Sequence, residues 1–274
     1  MSRVTALITG ASAGIGEAFA EELARRGYDL VLTARREERL QALADRLSGE
    51  HDVSCQVLAA DLAEPDAVEK LCAELTERSI DIGFLVNNAG YGVPGHFLNN
   101  DFSTHTDFMR VLMGALLELC HRLLPPMVER GEGHVINVAS IAGMLPGTGG
   151  STLYSAAKAF VIKFSESLSV EMADRGVKIC AVCPGLTHSE FHDVTGTRNE
   201  VNQLPKFMWM SSELVAKQGV DAVLQGEPVF INGPVNHGME LLARYLPAAI
   251  ARRIVGNQSK KFRSAENTSA PQKP

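Results

Sequence analysis

The residues best suited to chemistry are Tyr154 and Lys158, four positions apart, with Ser140 earlier in the chain. Positions i and i+4 of a helix share one face, so a helix here would place an ammonium beside a phenol. A nearby positive charge favours the phenolate and helps a tyrosine to exchange protons near neutral pH. A serine hydroxyl at the end of a preceding strand could hold a carbonyl or alcohol oxygen beside that phenol. The pattern alone also fits a solvated pair, so the interpretation depends on the surrounding elements.

A glycine-rich segment at residues 10–16, Gly-Ala-Ser-Ala-Gly-Ile-Gly, follows a short apolar strand predicted at residues 4–9. A helical pattern comes next, with Ile15, Phe19 and Leu23 on one face. A turn between a strand and a helix N-terminus lets backbone N–H groups and the helix dipole bind a phosphate. The glycine spacing differs from Gly-x-Gly-x-x-Gly, but the strand–turn–helix context is the one required. Glycines that only cap and turn the chain remain the alternative for this segment alone.

The choice of nucleotide is read from the end of the second predicted strand, residues 29–34, which runs into Arg35 and Arg36. An acidic residue in this region would bind the ribose hydroxyls of NAD. Guanidinium groups instead suit a 2′-phosphate by charge and by bidentate geometry. NADP(H) is therefore the predicted cofactor and NAD(H) the less favoured one. Arg35 is the residue expected to bind the phosphate, whereas Arg36 also fits a solvated residue at the start of the next helix.

Composition indicates one α/β domain. The chain has 274 residues, 45% of them hydrophobic, enough for a sizeable core. A net charge of −6 gives no footprint for nucleic acid. The first strand starts almost at residue 1 and no uninterrupted apolar run is long enough for a membrane span, so neither a signal peptide nor a spanning helix is expected. The five cysteines suggest reduced thiols and a cytoplasmic location.

Strand and helix patterns alternate along the chain, and continuous apolar strands predict a parallel sheet covered on both faces. The fold class is a single-domain, Rossmann-like doubly wound sheet of about seven mostly parallel strands. Its domain is expected to span residues 1–256, with a disordered tail at 257–274. Strands are predicted near residues 4–9, 29–34, 53–59, 82–87, 134–139, 177–183 and 228–232, and helices near 15–26, 37–47, 65–78, 103–130 and 154–175.

Five motifs in order resemble those of the short-chain dehydrogenase/reductase family, in particular an NADP-preferring branch of bacterial type. The match runs from about residue 4 to residue 190, and more loosely to 255. The motifs are Thr-Gly-Ala-Ser-Ala-Gly-Ile-Gly at 9–16, Asn-Asn-Ala-Gly at 87–90, Ser140, Tyr-Ser-Ala-Ala-Lys at 154–158 and Cys-Pro-Gly at 183–185.

The resemblance implies hydride transfer between a nicotinamide and a carbonyl carbon, with Tyr154 as acid and base. Ser140 would polarise the substrate oxygen, and Lys158 would also bind the nicotinamide ribose. Asp61 would accept a hydrogen bond from the adenine amino group. The cofactor-binding residues implied are Gly10, Ser12, Gly14, Ile15, Gly16, Arg35, Arg36, Asp61, Leu62, Asn87, Ala89, Gly90, Tyr154, Lys158, Pro184, Gly185, Leu186 and Thr187.

One position departs from the family pattern. Members usually carry an asparagine in the long helix before Ser140, where it helps to hold a water that relays protons to Lys158. Alignment on the Leu-Pro-Pro-Met run at 124–127 places Leu112 there. Leucine neither donates nor accepts a hydrogen bond, so a less efficient proton relay is expected.

The substrate region is predicted as a loop at about residues 186–212. Its apolar cluster at 204–210, Leu-Pro-Lys-Phe-Met-Trp-Met, fits either a lid over a lipophilic substrate or ordinary core and dimer surface. His188, Glu190 and His192 resemble a metal site only superficially, and no metal is predicted. Cys180 and Cys183 point to opposite faces of a strand, which argues against zinc.

A C-terminal extension at about residues 234–256 is partly amphipathic, with Met239, Leu242, Leu246 and Ile250 on one face. It fits a cover for the substrate cleft, a weak membrane-surface contact or a dimer contact. The helices near 103–130 and 154–175 resemble those through which the family associates, so a homodimer or homotetramer is expected.

Two functions stay open at this point. The first is an NADP(H)-dependent oxidoreductase that interconverts a ketone or aldehyde and an alcohol on a lipophilic small molecule. The second is a nucleotide-binding protein with weak or vestigial catalysis that acts as a sensor or partner subunit. Ser140, Tyr154 and Lys158 favour the first, and Leu112 alone favours the second.

Overall fold

The computed structural model describes residues 3–147, 149–150, 152–191 and 203–246. Seven strands in this part of the chain form one sheet in which every pairing is parallel. The strands are β1 Thr5–Thr9, β2 Asp29–Thr33, β3 Cys55–Val57, β4 Ile82–Asn87, β5 Gly133–Val138, β6 Val177–Cys183 and β7 Val229–Ile231. Their order is β3-β2-β1-β4-β5-β6-β7. This arrangement confirms the predicted doubly wound sheet.

Helices cover both faces of the sheet, and each face has its own apolar core. One core packs α1, α2 and α7 against the sheet, and the other packs α3 to α6. Cys180 lies in the first core and Cys183 in the second, so the two thiols face opposite sides as predicted. The helices are α1 Gly14–Arg25, α2 Glu37–Glu50, α3 Ala67–Glu77, α4 Phe102–Met109, α5 Ala115–Arg130, α6 Thr152–Met172, α7 Ser212–Gln225 and α8 Pro234–Tyr245.

The strand predicted at residues 53–59 is much shorter in the structure. β3 covers only Cys55–Val57 and pairs with β2 alone, at the edge of the sheet. An edge strand has hydrogen-bonding partners on one side only, which makes it shorter than a central strand. The apolar residues on either side of β3 therefore lie in loops.

The helix predicted at residues 103–130 is interrupted by a π turn, Arg110–Gly114, between α4 and α5. The extra residue of a π turn shifts the faces of a helix. Val111 consequently reaches the cavity described below, while Leu112 is buried against Gly90 in the core.

The segment Phe102–Arg130 is, within the described residues, the one helical stretch long and apolar enough to cross a membrane. Half of its apolar window is buried inside the fold. Leu116, Leu119 and Met127 on α5 contribute to the core beside the sheet. The segment is therefore a core helix.

A buried amide network joins β4, β5 and α6. The Asn87 Nδ2 donates to Asn137 Oδ1 at 2.8 Å, and Asn137 Nδ2 donates to Ser165 Oγ at 2.9 Å. Ser165 Oγ in turn donates to the Val161 carbonyl at 2.7 Å. Asn137 and Ser165 are fully buried. The network fixes α6, and with it Tyr154 and Lys158, against the centre of the sheet.

The expected dimer or tetramer stays a prediction. Exposed apolar residues do lie on the helices concerned, namely Leu117 on α5 and Val170 on α6. The division of the chain at residue 256 and the tail at 257–274 lie outside the described residues.

Replacing Asn137 with alanine should lower the free energy of unfolding by about 2–3 kcal/mol, because it leaves Asn87 and Ser165 buried without their partner. Urea unfolding measures the change. Asn99→Ala, at an exposed asparagine, is the control and should be nearly neutral. An equal effect of the two substitutions would show that the network does not stabilise the fold.

Candidate active site

A large cavity of about 800 Å³ lies beyond the carboxyl ends of the central strands. β1 and β4 are neighbours there although β2 and β3 separate them in sequence, and such a switch in strand order creates the crevice in which open α/β sheets bind ligands. Gly16 and Asn87 do not line it. The other predicted site residues do: Gly10, Ser12, Gly14, Ile15, Arg35, Arg36, Asp61, Leu62, Ala89, Gly90, Ser140, Tyr154, Lys158, Pro184, Gly185, Leu186 and Thr187.

The glycine-rich turn has a backbone that side chains would not permit. Gly10 and Gly14 have φ angles of 67° and 59°, in the left-handed region that favours glycine. A Cβ on Gly10 would come within 2.8 Å of Asn88 Nδ2, and one on Gly16 would overlap the Gly10 carbonyl. Gly16 therefore acts through close packing. Because α1 begins at Gly14, its unpaired N–H groups and positive dipole end lie at the cavity wall.

Thr9 and Asn88 hold this turn against β4, and sequence reasoning missed both. Asn88 Nδ2 donates to the carbonyls of Thr9 at 3.0 Å and Gly10 at 3.3 Å. Thr9 Oγ1 accepts from the N–H groups of Asn88 and Ala89, each at 3.0 Å. The sequence does show a polar residue at the end of each of these two strands. Their contact could be inferred only by knowing that β1 and β4 are neighbours in the sheet.

Ser140, Tyr154 and Lys158 lie together in the wall of the cavity. Ser140 follows β5, and its hydroxyl is hydrogen-bonded to Tyr154. Lys158 is buried one turn further along α6, with Nζ 5.7 Å from the Tyr154 ring centroid. Its ammonium donates to the Val138 carbonyl at 2.7 Å. The predicted phenol, hydroxyl and ammonium are therefore together.

The electrostatics of this group differ from the expectation that Lys158 would favour a phenolate. Burial raises the pKa of Tyr154 to about 12, with the Ser140 hydrogen bond opposing the rise. Burial also lowers the pKa of Lys158 to about 8. The expectation was wrong for this arrangement because burial removes water from both groups, which disfavours the charged form of each.

The two arginines after β2 are placed differently from the expectation. Arg36 is the N-cap residue of α2, but it is more than a solvated charge, since it donates to Ser12 Oγ at 3.0 Å and to Glu190 at 2.8 Å. The Arg35 side chain is 71% exposed and lies 4.0 Å from the Asp61 carboxylate. Both line the cavity, with Arg36 in contact with the glycine-rich turn.

Part of the cavity wall is apolar. Phe191, Leu204, Met208 and Met239 line it, and the rings of Phe191 and Tyr154 are 5.4 Å apart. Leu204 and Met208 belong to the apolar cluster for which a lid was one of two interpretations. In the same cluster, Phe207 is exposed.

A short parallel bridge between Thr187 and Met210 closes the base of the substrate loop. The His188 N–H donates to the Met210 carbonyl at 3.0 Å, and the Met210 N–H donates to the Leu186 carbonyl at 2.9 Å. This bridge fixes both ends of the loop beside the cavity. Residues 192–202 of the predicted loop lie outside the described part of the chain.

Gly185 is required by a contact with α8. A Cβ at this position would overlap the amide of Asn236, a buried residue that donates to the Asn232 carbonyl at 2.6 Å. Met239 on the same helix lines the cavity, while Leu242, predicted on its apolar face, is exposed. α8 thus covers part of the cleft. Ile250 and the rest of the extension after residue 246 lie outside the described residues.

The residues that superficially resembled a metal site are engaged elsewhere. His188 stacks on Trp209 with ring centroids 4.6 Å apart, and Glu190 pairs with arginines. His192 lies outside the described residues. A separate group, Glu21, Glu50 and His51, has ligand-like spacing at the surface, but Arg46 already pairs with both carboxylates.

Comparison with known proteins identifies the family. The sequence profile for short chain dehydrogenase matches residues 4–200. The chain belongs to the short-chain dehydrogenase family. Its reductase and dehydrogenase relatives show that it is an oxidoreductase acting on CH–OH groups.

Three relatives illustrate the likeness. The NADP-dependent 3-hydroxy acid dehydrogenase of Salmonella typhi is 39% identical over 193 residues, 69% of this chain and 75% of the relative. A short-chain dehydrogenase from Sphingobium yanoikuyae, solved with NADPH, has a TM-score of 0.77 and 31% identity and covers 99% of this chain and 98% of its own. The bulky-bulky ketone specific alcohol dehydrogenase of Comamonas testosteroni has a TM-score of 0.74 and 28% identity, covering 100% and 97%.

The buried lysine makes a prediction about stability. The folded pKa of Lys158, about 8, lies below the ordinary 10.5, so the unfolded chain binds more protons between these values and stability rises with pH there. Lys158→Met removes this dependence. Between pH 8 and pH 10.5, the free energy of unfolding of the wild type should therefore rise by about 2–3 kcal/mol relative to that of the variant.

Urea unfolding across this pH range measures the gain. Lys163→Met, at an exposed lysine on the same helix, should show none. Parallel curves for wild type and Lys158→Met would contradict the lowered pKa.

Proposed function

We propose that the protein is an NADP(H)-dependent oxidoreductase that interconverts a ketone or aldehyde and the corresponding alcohol on a lipophilic substrate. The observation that carries the proposal is the position of Ser140, Tyr154 and Lys158. They line the same cavity as the glycine-rich turn and a set of apolar side chains. A cofactor bound on the turn and a substrate bound against the apolar side chains would share this cavity with them.

The residues around the glycine-rich turn fit a dinucleotide. The positive φ angles at Gly10 and Gly14 and the start of α1 form a cradle for a pyrophosphate. Asp61 and Leu62 line the cavity on the far side of the turn and would hold the adenine. Ala89 and Gly90 would flank the adenosine ribose. Pro184 to Thr187 would line the nicotinamide, and when bound NADPH would supply the hydride.

Preference for NADP(H) is supported by charge at the end of β2. Arg35 and Arg36 line the cavity there, where an acidic residue would instead favour NAD. Guanidinium groups match a 2′-phosphate in charge and geometry. The relatives named as NADP-dependent or solved with NADPH support the same preference.

The chain's own groups would handle the proton. In reduction, the Tyr154 phenol gives its proton to the carbonyl oxygen, and in oxidation the phenolate takes it back. Ser140 donates a hydrogen bond to that oxygen and so polarises the carbonyl. Lys158 would bind the nicotinamide ribose.

A lipophilic substrate is supported by the apolar side chains in the cavity wall. Phe191, Leu204, Met208 and Met239 line the cavity. Apolar walls of this kind bind apolar groups by removing their surface from water. The named substrate of the Comamonas testosteroni relative, a bulky-bulky ketone, agrees with this class.

Tyr154→Phe should lower turnover by at least about 100-fold, because the general acid is lost, while NADPH still binds. The measurement is steady-state reduction of a panel of apolar ketones, with NADPH binding followed by fluorescence. Tyr28→Phe, which changes a tyrosine that packs on Phe84 away from the cavity, is the control. Undiminished turnover by Tyr154→Phe would refute the assigned role, and NADPH binding without turnover by wild type on any ketone would favour a sensor.

Leu112→Asn tests the position at which this chain departs from the family pattern. Leu112 is buried against Gly90 in the core that also holds Ala157, so an amide here could bind water near α6. Turnover of a good ketone should rise, while stability falls by about 1–3 kcal/mol because a polar group is buried. Leu112→Ala, which opens space without a hydrogen-bonding group, is the control. Equal turnover by the two variants would show that no relay is missing.

A further inference from the structure

Three charged side chains meet at the rim of the cavity, next to the glycine-rich turn. The two oxygens of the Glu190 carboxylate are divided between two arginines of the α2 N-terminus. Oε2 accepts from Arg36 at 2.8 Å, and Oε1 accepts from Arg39 at 2.7 Å. Arg36 also donates to Ser12 Oγ at 3.0 Å. The carboxylate thus bridges two guanidinium groups as a phosphate would.

The segment that carries Glu190 lies directly on the turn. A Cβ built on Gly14 would be 2.9 Å from Ser189 Cβ. Glu190 and Arg36 both line the cavity, together with Ser12 and Arg35. Of the two arginines that line the cavity, Arg36 is therefore already partnered by a residue of the substrate loop, whereas Arg35 lies near Asp61.

We propose that Glu190 competes with the 2′-phosphate of NADP(H) for Arg36 and Arg39, and that Arg39 is a further phosphate-binding residue. The proposal rests on the NADP(H)-dependent function proposed above. It makes Glu190 a determinant of cofactor specificity. NADP(H) must displace the carboxylate, whereas NAD(H), which has no 2′-phosphate, leaves the three charges paired.

Exposure and charge decide which anion wins. The side chains of Arg36, Arg39 and Glu190 are 44%, 52% and 46% exposed, so each ion pair contributes little to stability and is easily exchanged. A phosphate monoester carries more negative charge than a carboxylate and offers three oxygens. The arginines lower the pKa of the Glu190 carboxyl, which keeps it an anion at neutral pH. Glu190 therefore weakens NADP(H) binding without preventing it.

The opposite interpretation is that Glu190 acts as a clamp, which holds its segment over a bound cofactor. Its loss would then weaken the binding of NADPH and of NADH alike. The two roles predict opposite changes for NADPH, so one substitution separates them.

The experiment is fluorescence titration of wild type and Glu190→Gln with NADPH and with NADH. The Kd for NADPH should fall by about 3–10-fold, as expected for removal of exposed pairs, and the Kd for NADH should stay within about twofold. Glu38→Gln, at an exposed glutamate in the same turn of α2 as Arg39, controls for a general change in charge. It should alter neither Kd.

Two further measurements isolate the phosphate. Calorimetry uses 2′,5′-ADP and 5′-ADP, which lack the nicotinamide. Glu190→Gln should increase the affinity only for 2′,5′-ADP, the ligand that carries a 2′-phosphate. Arg39→Gln, made in the Glu190→Gln background, should weaken the binding of 2′,5′-ADP and leave the binding of 5′-ADP unchanged.

Each outcome bears on the proposal. An unchanged or raised Kd for NADPH in Glu190→Gln would overturn the proposed competition. An equal rise in the Kd values for NADPH and NADH would show that Glu190 acts as a clamp instead. An Arg39→Gln variant that binds 2′,5′-ADP normally would remove Arg39 from the site. Failure of wild type to bind either NADPH or 2′,5′-ADP would overturn the cofactor proposal as well, so the two failures are distinguishable.

Discussion

The site depends on the close contact between the glycine-rich turn and the end of β4. The Asn88 amide binds the carbonyls of Thr9 and Gly10, and this approach leaves no space for a side chain at Gly10 or Gly16. The contact brings the start of α1 to the point where the strand order reverses. Everything that follows, from the cavity to the position of Tyr154 opposite the turn, requires the two strand ends to meet in this way.

Much of this arrangement could be predicted from the sequence, because parallel strands are continuous apolar runs and their carboxyl ends share one edge. Residues after six different strands, among them Gly10, Arg35 and Ser140, therefore converge as expected. The π turn could not be predicted, since one extra residue barely disturbs a 3.6-residue period over a long helix. Asn236 could not be predicted either, because its contact with Gly185 joins elements that sequence patterns do not connect.

The three cations of the site show why residue type alone gave the wrong electrostatics. Arg36 and Arg35 remain partly in water, where a guanidinium stays charged whatever its partner. Lys158 is buried with a backbone carbonyl as its hydrogen-bond acceptor, and the loss of hydration lowers its pKa. The i, i+4 spacing correctly placed the two groups side by side, but their ionisation follows from the solvent that the fold removes.

The bridge between Thr187 and Met210 has a consequence for how this protein can change over evolution. Because the bridge joins the two ends of the segment between them, residues inserted or lost there need not move the sheet or the glycine-rich turn. Lengthening a closed loop costs free energy only logarithmically, about 0.6 kcal/mol for each doubling. The fold can therefore accept new sequences later in this loop, where they would alter the range of substrates, whereas Ser189 and Glu190 at its start remain constrained by their contacts with the glycine-rich turn and its arginines.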